Sequence, residues 1–287
     1  MKKRYSGKKT GTALLFLAPS FLGVSVFVLL PFADTVRRSF FTAIGNRFVG
    51  LDNFTSVLQN QGFRIAAGNT ARFISVCVPM LIGISMLMAV LVRRLRPELG
   101  KWFKTSFLVT MAIPVASVVL LWKALFHNNG IINNLLVSLN FHPVSFMSTD
   151  AAFWVLIATY LWKNCGYDMI LWLAGFDNIN QNSYEAARVD GANEWQVFVY
   201  VTLPGLLPTL FLVAVLSLIN TFKVFREAYL VGGAYPESSS IYLLQHLFNN
   251  WYTQLDISRL CAAAVMLALV LTGVILLLKR VWGEENQ

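Results

Sequence analysis

The sequence predicts an all-α membrane protein with six transmembrane helices and both termini in the cytoplasm, and three observations lead to this fold class. Hydrophobic residues fill 56% of the 287 positions and charged residues only 13%, whereas a soluble domain carries about a quarter charged residues. The apolar residues fall in runs close to the roughly 20 residues that cross a bilayer. The Lys and Arg residues cluster beside those runs, as they do in short cytoplasmic loops.

Six apolar runs follow one another along the chain, and each predicts one transmembrane helix. The runs lie at about residues 12–32, 70–92, 105–126, 151–175, 206–226 and 260–281. The first run follows a basic tail, which raises the alternative of a signal peptide. Its apolar part is longer than the core of a signal peptide, and no small-x-small cleavage site follows it. We therefore interpret it as a retained first helix.

Positive charges set the predicted orientation of the spans. Five cations lie within residues 2–9, five more lie within residues 93–104, and Lys279 and Arg280 follow the last run. If these regions are cytoplasmic, both ends of the chain lie inside and the number of spans is even. The loop at about 127–150 then faces outward, and it contains no Lys or Arg.

The predicted boundaries divide the chain into four parts. These are a basic cytoplasmic tail at 1–11, a first span with its outward loop at 12–68, a five-helix core at 69–281, and a cytoplasmic C-terminal tail at 282–287. The core contains a cytoplasmic loop at 176–204, which carries the most informative motif in the sequence.

Several spans contain residues that an inert anchor would not need. Pro114 removes a backbone hydrogen bond inside the third run, and Lys163 and Asn164 lie inside the fourth. A lysine at the centre of a helix costs about 2.5–3.5 kcal/mol on insertion scales, so these helices are expected to surround a polar interior. Lys163 could pair with Asp168 or with an acidic solute, or it could extend its amine toward a polar surface.

The cytoplasmic loop between the fourth and fifth spans reads Glu-Ala-Ala-Arg-Val-Asp-Gly at 185–191 and Val-Thr-Leu-Pro at 201–204. Asn182 and Glu185 have the spacing of a capping box, so a short helix is expected to begin there. Two alanines give this helix a flat face on which another protein can sit. Gly191 permits a sharp turn, and Pro204 is expected to begin the next span.

These residues resemble the EAA loop of ABC importer permeases of the binding-protein-dependent type. Val201 stands where that family usually has Ile. The segments at 48–54, 120–126 and 232–236 also resemble stretches of the carbohydrate branch of the family, although the last lacks one glycine and has one residue inserted. The resemblance implies a type I ABC importer permease fold and a helix that docks on a cytoplasmic ATPase. The expected ATPase-coupling residues are Glu185, Ala186, Ala187, Asp190, Gly191, Leu203 and Pro204.

The resemblance to maltose-type permeases also implies where a solute would pass. Positions that match the sugar-lining residues of those permeases fall in the fourth and fifth spans. With the nearby Asn220, the candidates are Tyr160, Asn164, Tyr167, Ser217, Asn220 and Thr221. Aromatic rings can cover the C–H surface of a sugar and amides can bond its hydroxyls. The alternative is that these side chains only hold helices together.

No catalytic or metal-binding arrangement is expected. His127, His142 and His246 are far apart, and the three cysteines all lie inside apolar stretches without metal-ligand spacing. The sequence has no Gly-x-x-x-x-Gly-Lys-Ser/Thr phosphate loop, so the chain itself is expected to bind no cofactor, and ATP and Mg²⁺ are expected on a partner ATPase. Lys and Arg outnumber Asp and Glu by 23 to 14, but their position beside apolar runs argues against nucleic-acid binding.

We therefore predict a multi-pass permease subunit in a bacterial or archaeal plasma membrane that moves a sugar or oligosaccharide by alternating access. The expected partners are a second, homologous permease, a cytoplasmic ATPase dimer, an extracytoplasmic binding protein and membrane lipid. One alternative is an importer of the same class for a different solute, such as glycerol phosphate or an amino acid. A second is a membrane enzyme, for which no clustered acid/base or metal ligands are visible in the sequence. A third is a receptor or assembly subunit without transport.

Overall fold

The structure, a computed structural model, describes residues 7–282. Within this range the regular structure is helical apart from one antiparallel bridge between Phe41 and Phe48. The C-terminal tail predicted at 282–287, beyond its first residue, and the first six residues of the tail predicted at 1–11 lie outside the described residues.

Five stretches of helix in the described range are long and apolar enough to cross a membrane. They are Leu14–Ser39, Gln61–Arg94, Val115–Ser138, Leu207–Gly232 and Ile257–Val281. The helix predicted as the fourth span, Ala151–Asp177, has 27 residues and is long enough at about 1.5 Å per residue. It does not join the five because Lys163, Asn164 and Asp168 interrupt its apolar sequence. The prediction of six spans with both ends inside therefore stays a prediction.

The chain forms two compact units, and the first consists of Met1–Asn60 and Trp251–Leu271. Helix α1 (Gly7–Val24) continues through a π-helical turn at Ser25–Leu29 into α2 (Leu30–Ser39), and a loop leads to α3 (Asp52–Gln59). The side chain of Asn53 donates hydrogen bonds to the carbonyl oxygens of Ser39 (2.9 Å) and Phe41 (3.0 Å). The Phe-x-Gly-Leu-x-Asn stretch at 48–54 thus closes a folded loop through its asparagine.

The second unit consists of Gln61–Asn250 and Thr272–Gln287, and its centre is a pair of long helices. Its helices are α4 (Gln61–Arg94), α5 (Pro97–Ala112), α6 (Val115–Phe126), α7 (Ile131–Ser138), α8 (Ala151–Asp177), α9 (Gln181–Val189), α10 (Glu194–Val197), α11 (Leu203–Gly205), α12 (Leu207–Thr221) and α13 (Phe225–Gly232). Two further helices, α14 (Leu244–Thr253) and α15 (Ile257–Trp282), run across the unit boundaries. Within this unit α4, α5 and α12 pack against α8.

Buried apolar side chains hold α4 and α8 together at two levels. Phe73 and Cys77 of α4 pack with Phe153 and Tyr160 of α8 in one cluster, and a second cluster gathers around the buried Trp172. The indole Nε1 of Trp172 donates a hydrogen bond to the hydroxyl of Ser85 at 3.0 Å. Because this polar group is satisfied inside the core, the large ring can be fully buried without an orphaned donor.

Helix α5 approaches α8 so closely that only glycine fits at residue 166. A Cβ atom built on Gly166 would lie 2.4 Å from the carbonyl oxygen of Phe107. Backbone cannot yield as a flexible side chain can, so the two helices meet backbone to backbone at this point. Small residues commonly allow such contacts between membrane helices.

The third predicted span, at about 105–126, is wrong as a continuous helix. Helix α5 ends at Ala112, and Ile113 and Pro114 are extended, with ψ angles of 129° and 137°. Pro114 lacks an N–H and disfavours the helical conformation of the residue before it. The apolar span of the structure begins only after this break and runs on through α7 to Ser138.

The fifth span is also divided. Helix α12 ends at Thr221, a 3₁₀ turn follows at Phe222–Val224, and α13 continues to Gly232. The apolar span therefore extends to Gly232, beyond the end predicted at about 226. The outer half-helix α13 packs against α6, so both half-helices that follow a break lie side by side.

Candidate coupling segment and solute path

The predicted coupling residues lie in the stretch 181–204, here called the coupling segment, between the ends of α8 and α12. Of these residues, Glu185, Ala186 and Ala187 lie on α9, Asp190 and Gly191 follow its end, and Leu203 and Pro204 lie on α11. Helix α9 begins after Asn180, whose side-chain oxygen accepts a hydrogen bond from the backbone N–H of Asn182. The capping box predicted between Asn182 and Glu185 is therefore wrong, because Asn180 already takes the N-cap position. Asn178 to Asn182 include three asparagines, so sequence spacing alone does not identify the cap.

A complete capping box does occur one helix later. The side chain of Asn193 accepts from the N–H of Gln196 (2.9 Å), and the side chain of Gln196 accepts from the N–H of Asn193 (2.8 Å). This reciprocal pair begins α10. Each such cap satisfies backbone donors that would otherwise be exposed at a helix start.

Gly191 ends α9 in the conformation that the motif predicts. Its φ angle is +79°, in the left-handed region that residues with a side chain adopt at a cost. The N–H of Gly191 donates to the carbonyl of Arg188 (3.1 Å), and that of Ala192 donates to the carbonyl of Ala187 (3.0 Å). These bonds close the end of the helix and reverse the chain.

The return to the membrane passes through a π-helical turn at Phe198–Thr202 and the short helix α11. Pro204 lies inside α11, and the long helix α12 begins at Leu207, so the prediction that Pro204 begins the span places the boundary too early. Thr202 is buried, and its hydroxyl donates to the hydroxyl of Tyr184 at 3.2 Å. This bond ties the returning chain to α9.

The coupling segment exposes apolar and small residues. Val189 is 87% exposed, Trp195 72% and Tyr200 76%. Most predicted coupling residues are also exposed, namely Glu185, Ala186, Asp190, Gly191, Leu203 and Pro204, while Ala187 is half-buried. Exposed aromatic and aliphatic side chains on a segment outside the spans are typical of a protein-docking surface.

The segment faces the ends of α4 and α8 across a cleft, and one ion pair joins it to α4. The guanidinium of Arg94 lies 3.0 Å from the carboxylate of Glu194 on α10, while Arg93 of α4 lies 4.7 Å from the ring centre of Phe176 and so joins α4 to α8. A cleft of about 340 Å³ separates the segment from these helix ends. The coupling segment is thus joined to α4 by an ion pair and borders α8 across the cleft.

The solute-path candidates on α8 are not equally accessible in this single chain. Tyr160 is 3% exposed, and its ring lies 5.8 Å from that of Phe73. Its hydroxyl has no hydrogen-bond partner among the described residues. Asn164 and Tyr167 are half-buried, and the amide of Asn164 donates to the carbonyl of Tyr160 (2.9 Å). Their role in lining a solute path stays a prediction.

The candidates on α12 donate their hydroxyl groups to protein acceptors. Ser217 donates to the carboxylate of Asp168 on α8 at 2.7 Å, and Thr221 donates to the carbonyl of Leu218. Both residues are buried, whereas Asn220 is half-buried. Ser217 and Asp168 therefore connect the two helices that flank the coupling loop. Their part in solute binding also stays a prediction.

A charge pair between α8 and α13 is the feature that sequence reasoning missed. The amine of Lys163 lies 2.9 Å from the Oε1 atom of Glu227, and the two side chains are 12% and 7% exposed. The predicted alternative of pairing with Asp168 is wrong, since Asp168 accepts from Ser217 instead. Glu227 falls just beyond the predicted end of the fifth run at 226, so the run boundaries exclude it from the span.

Outside the spans, His246 on α14 is fully buried among aromatic rings. Its ring centre lies 4.8 Å from that of Phe225, 5.6 Å from that of Tyr242 and 6.1 Å from that of Tyr229. Its Nδ1 atom accepts from the N–H of Leu243 at 3.1 Å. Burial away from water disfavours the charged imidazolium and lowers the pKa of His246 to about 4.

Comparison with known proteins shows to which family this arrangement belongs. Residues 81–281, which include the coupling segment and the divided fifth span, match the family described as "Binding-protein-dependent transport system inner membrane component". The chain belongs to this family. It is thus a multi-pass permease of the plasma membrane, which confirms the predicted class and location. The match begins within α4 and leaves the first 80 residues outside it.

Individual relatives and a solved structure agree with the family. The lactose transport system permease protein of Rhizobium radiobacter is 30% identical over 82% of this permease and 81% of its own length. The arabinooligosaccharides transport system permease protein of Bacillus subtilis is 26% identical over 96% of this permease and 90% of its own. A chain of the bacterial ABC transporter for the acidic polysaccharide alginate superposes with a TM-score of 0.82 at 22% identity, over 98% of both chains. The predicted type I importer permease fold is confirmed.

Proposed function

We propose that this permease is one of two membrane subunits of an ATP-driven importer, and that it translocates a sugar or oligosaccharide delivered by an extracytoplasmic binding protein. The observation that carries the proposal is the coupling segment at 181–204. It exposes apolar residues outside the spans, it is paired with Arg94 of α4 through Glu194, and it borders one cleft with the ends of α4 and α8. A partner that moved this segment would therefore move the spans as well.

The energy for transport would come from a separate ATPase that binds α9 and its flanking turns. A flat surface around Ala186 with Val189 at its edge suits a groove on a partner protein. Closure of the ATPase dimer on ATP would pull on the segment, open the path outward and receive solute from the binding protein. Hydrolysis would return the path to its inward-facing state.

The assignment to sugars rests on the relatives and on the residues of the fourth span. The lactose and arabinooligosaccharide permeases cover most of this chain. Tyr160, Asn164 and Tyr167 share one face of α8. The half-buried Asn164 and Tyr167 would offer a sugar an amide and a ring, whereas Tyr160 would reach the sugar only if its packing against Phe73 opened. A second permease would supply the other half of the path, and uptake of labelled lactose, glycerol phosphate and amino acids would separate the sugar proposal from its rivals.

Replacement of Gly191 tests the coupling role. Gly191→Asp places a side chain at a φ angle of +79° and adds a charge to the docking surface, so uptake is expected to be lost while the protein still reaches the membrane. Gly191→Asn is the matched control, because asparagine tolerates the left-handed conformation and adds no charge. Normal uptake by the Asp variant would contradict the proposal.

Purification distinguishes transport from an assembly or receptor role. The proposal expects an ATPase and a second permease to co-purify with this chain, with ATP hydrolysis that rises when the binding protein is added. Stable isolation of the chain from membranes without any ATPase would favour the non-transporting alternative.

A further inference from the structure

A small chamber lies between α6, α8 and α13, beside the charge pair. Val119 and Trp122 of α6, Val155 and Thr159 of α8, and Glu227 of α13 contribute to its wall, and its volume is about 20 Å³. A space of roughly 10–15 Å³ is enough for one water molecule when two or more polar groups face it. The chamber is therefore large enough for one hydroxyl group and too small for a whole sugar ring.

Two buried polar atoms of the wall residues, one donor and one acceptor, have no hydrogen-bond partner among the described residues. The indole Nε1 of Trp122, a donor, and the Oε2 atom of Glu227, an acceptor, are buried without a hydrogen-bond partner in the described part of the chain. Glu227 is 6% exposed, and a buried polar group without a hydrogen-bond partner is destabilising. A single group that accepts one hydrogen bond and donates another would satisfy both atoms.

The surrounding contacts fix these two atoms in place. Trp122 stacks on Phe126 with ring centres 5.1 Å apart and meets the edge of Trp162 at 6.4 Å. Lys163 donates a hydrogen bond to the Oε1 atom of Glu227, so the Oε2 atom remains as an acceptor without a partner in the described residues. Thr159 donates its own proton to the carbonyl of Val155 and retains lone pairs that can accept a third hydrogen bond.

The chamber adjoins a wider space at the end of the same three helices. This vestibule has a volume of about 330 Å³, and Lys123, His127, Asn128, Ser148 and Glu237 give it a polar lining. Met147, Val231 and Ile241 line both the vestibule and the chamber. These three apolar side chains thus form a shared wall between the polar vestibule and the chamber.

We infer that the chamber is a binding site for one uncharged hydroxyl group, which accepts a hydrogen bond from Trp122 and donates one to Glu227. An ordered water molecule and a hydroxyl at the end of a polyol have this same chemistry. Lys163 is already neutralised by Glu227, so the site does not select anions. Occupation by a polyol rests on the proposed function, whereas occupation by water does not.

Water-edited solid-state NMR tests the site directly. The full-length chain, labelled with ¹⁵N-tryptophan and held in lipid with its co-purifying subunits, gives one indole signal per tryptophan. Trp122→Phe and Trp172→Phe assign the two signals of interest. Trp172 is the internal control because it is buried and donates to Ser85. The Trp122 N–H is expected to exchange magnetisation with water several-fold faster than the Trp172 N–H, and equal rates would overturn the inference.

A second variant separates the chamber from other water near Trp122. Glu227→Leu alone would leave Lys163 unpaired, so the test uses Lys163→Met together with Glu227→Leu, which removes both charges at similar volume. Magnetisation transfer to Trp122 is expected to fall to the level of Trp172. Unchanged transfer would contradict the role of Glu227. Glu237→Gln, in the vestibule and outside the chamber, is expected to leave the transfer unchanged.

Addition of ¹³C-glycerol identifies the occupant. If transfer to Trp122 moves from water to glycerol, the hydroxyl comes from a polyol; if it stays with water, the occupant is an ordered water molecule, and both results support the site. Transfer from neither source overturns it. These measurements require no transport, so failure of the uptake experiments and failure of this site are distinguishable.

Discussion

At the scale of single residues, the buried pair of Lys163 and Glu227 links α8 to α13. Lys163 and Glu227 are buried in a region from which isolated charges are excluded by several kcal/mol each. They are tolerated because their atoms lie 2.9 Å apart. Such pairs contribute little stability over apolar residues of the same size, so their value lies in the positions that they fix.

The charge pair predicts a strong asymmetry between single and double variants. Lys163→Met leaves a buried carboxylate without its partner and is expected to destabilise the protein by about 3–5 kcal/mol, whereas Lys163→Met with Glu227→Leu is expected to be close to wild type. Thermal unfolding of the purified chain in detergent measures both. Additive losses in the double variant would show that the two charges act independently.

His246 predicts a stability that depends on pH. The folded pKa of about 4 lies below the ordinary value near 6.5, so the folded state binds fewer protons than the unfolded state between these values. Stability is therefore complete above about pH 6.5 and decreases as pH falls toward 4, by up to about 3 kcal/mol. His246→Gln keeps an acceptor for the N–H of Leu243 and should remove this part of the pH dependence. An unchanged midpoint shift in the variant would contradict the assignment to His246.

At the scale of elements, hydropathy predicted where helices lie but not where they break. The predicted fourth run at 151–175 matches α8 to within two residues, because its length outweighs its polar interruptions. The missing N–H of Pro114 indicated the break between α5 and α6. The turn at Phe222–Val224 contains neither proline nor glycine, so packing and not local propensity decides it.

The close approach of α5 and α8 gives a prediction with a matched control. Gly166→Ala places a Cβ atom 2.4 Å from a backbone oxygen and is expected to destabilise the protein by about 1–3 kcal/mol. Gly68→Ala, in helix α4 with nothing within 4 Å of the new atom, is expected to be neutral or to stabilise by up to about 1 kcal/mol. Thermal unfolding of the two variants side by side measures the difference, and equal effects would count against the backbone contact.

At the scale of the whole molecule, the coupling loop could be predicted from its motif and the charge pair could not. Glu185 to Pro204 lie close together in sequence, so spacing alone identifies the segment. Lys163 and Glu227 are 64 residues apart. Their contact depends on how α8 packs near the half-helix α13, and no proline or glycine in the sequence predicts the break that creates α13. The vestibule and chamber depend on the same packing.

The exposed face of α9 predicts an effect on assembly without an effect on folding. Val189→Glu adds a charge to a side chain that is 87% exposed, so folding is expected to be unchanged while co-purification of the ATPase decreases at least about tenfold, as for a docking contact worth more than about 1.4 kcal/mol. Ile44→Glu, at a 91% exposed position in the predicted outward loop, is the control and should retain the ATPase. Equal retention by both variants would place the docking surface elsewhere.

The break at Pro114 has a mechanical consequence for the second unit. It divides one predicted span into α5, which packs on α8, and α6, which packs on α13. The break after Thr221 divides the fifth span in the same way. The unit thus combines the continuous helices α4 and α8 with two pairs of half-helices, and the Lys163–Glu227 pair joins the continuous α8 to the half-helix α13. A pull on the coupling segment would act first on α8, which leads into it. The Lys163–Glu227 pair would then determine how far α13 follows the rotation of α8.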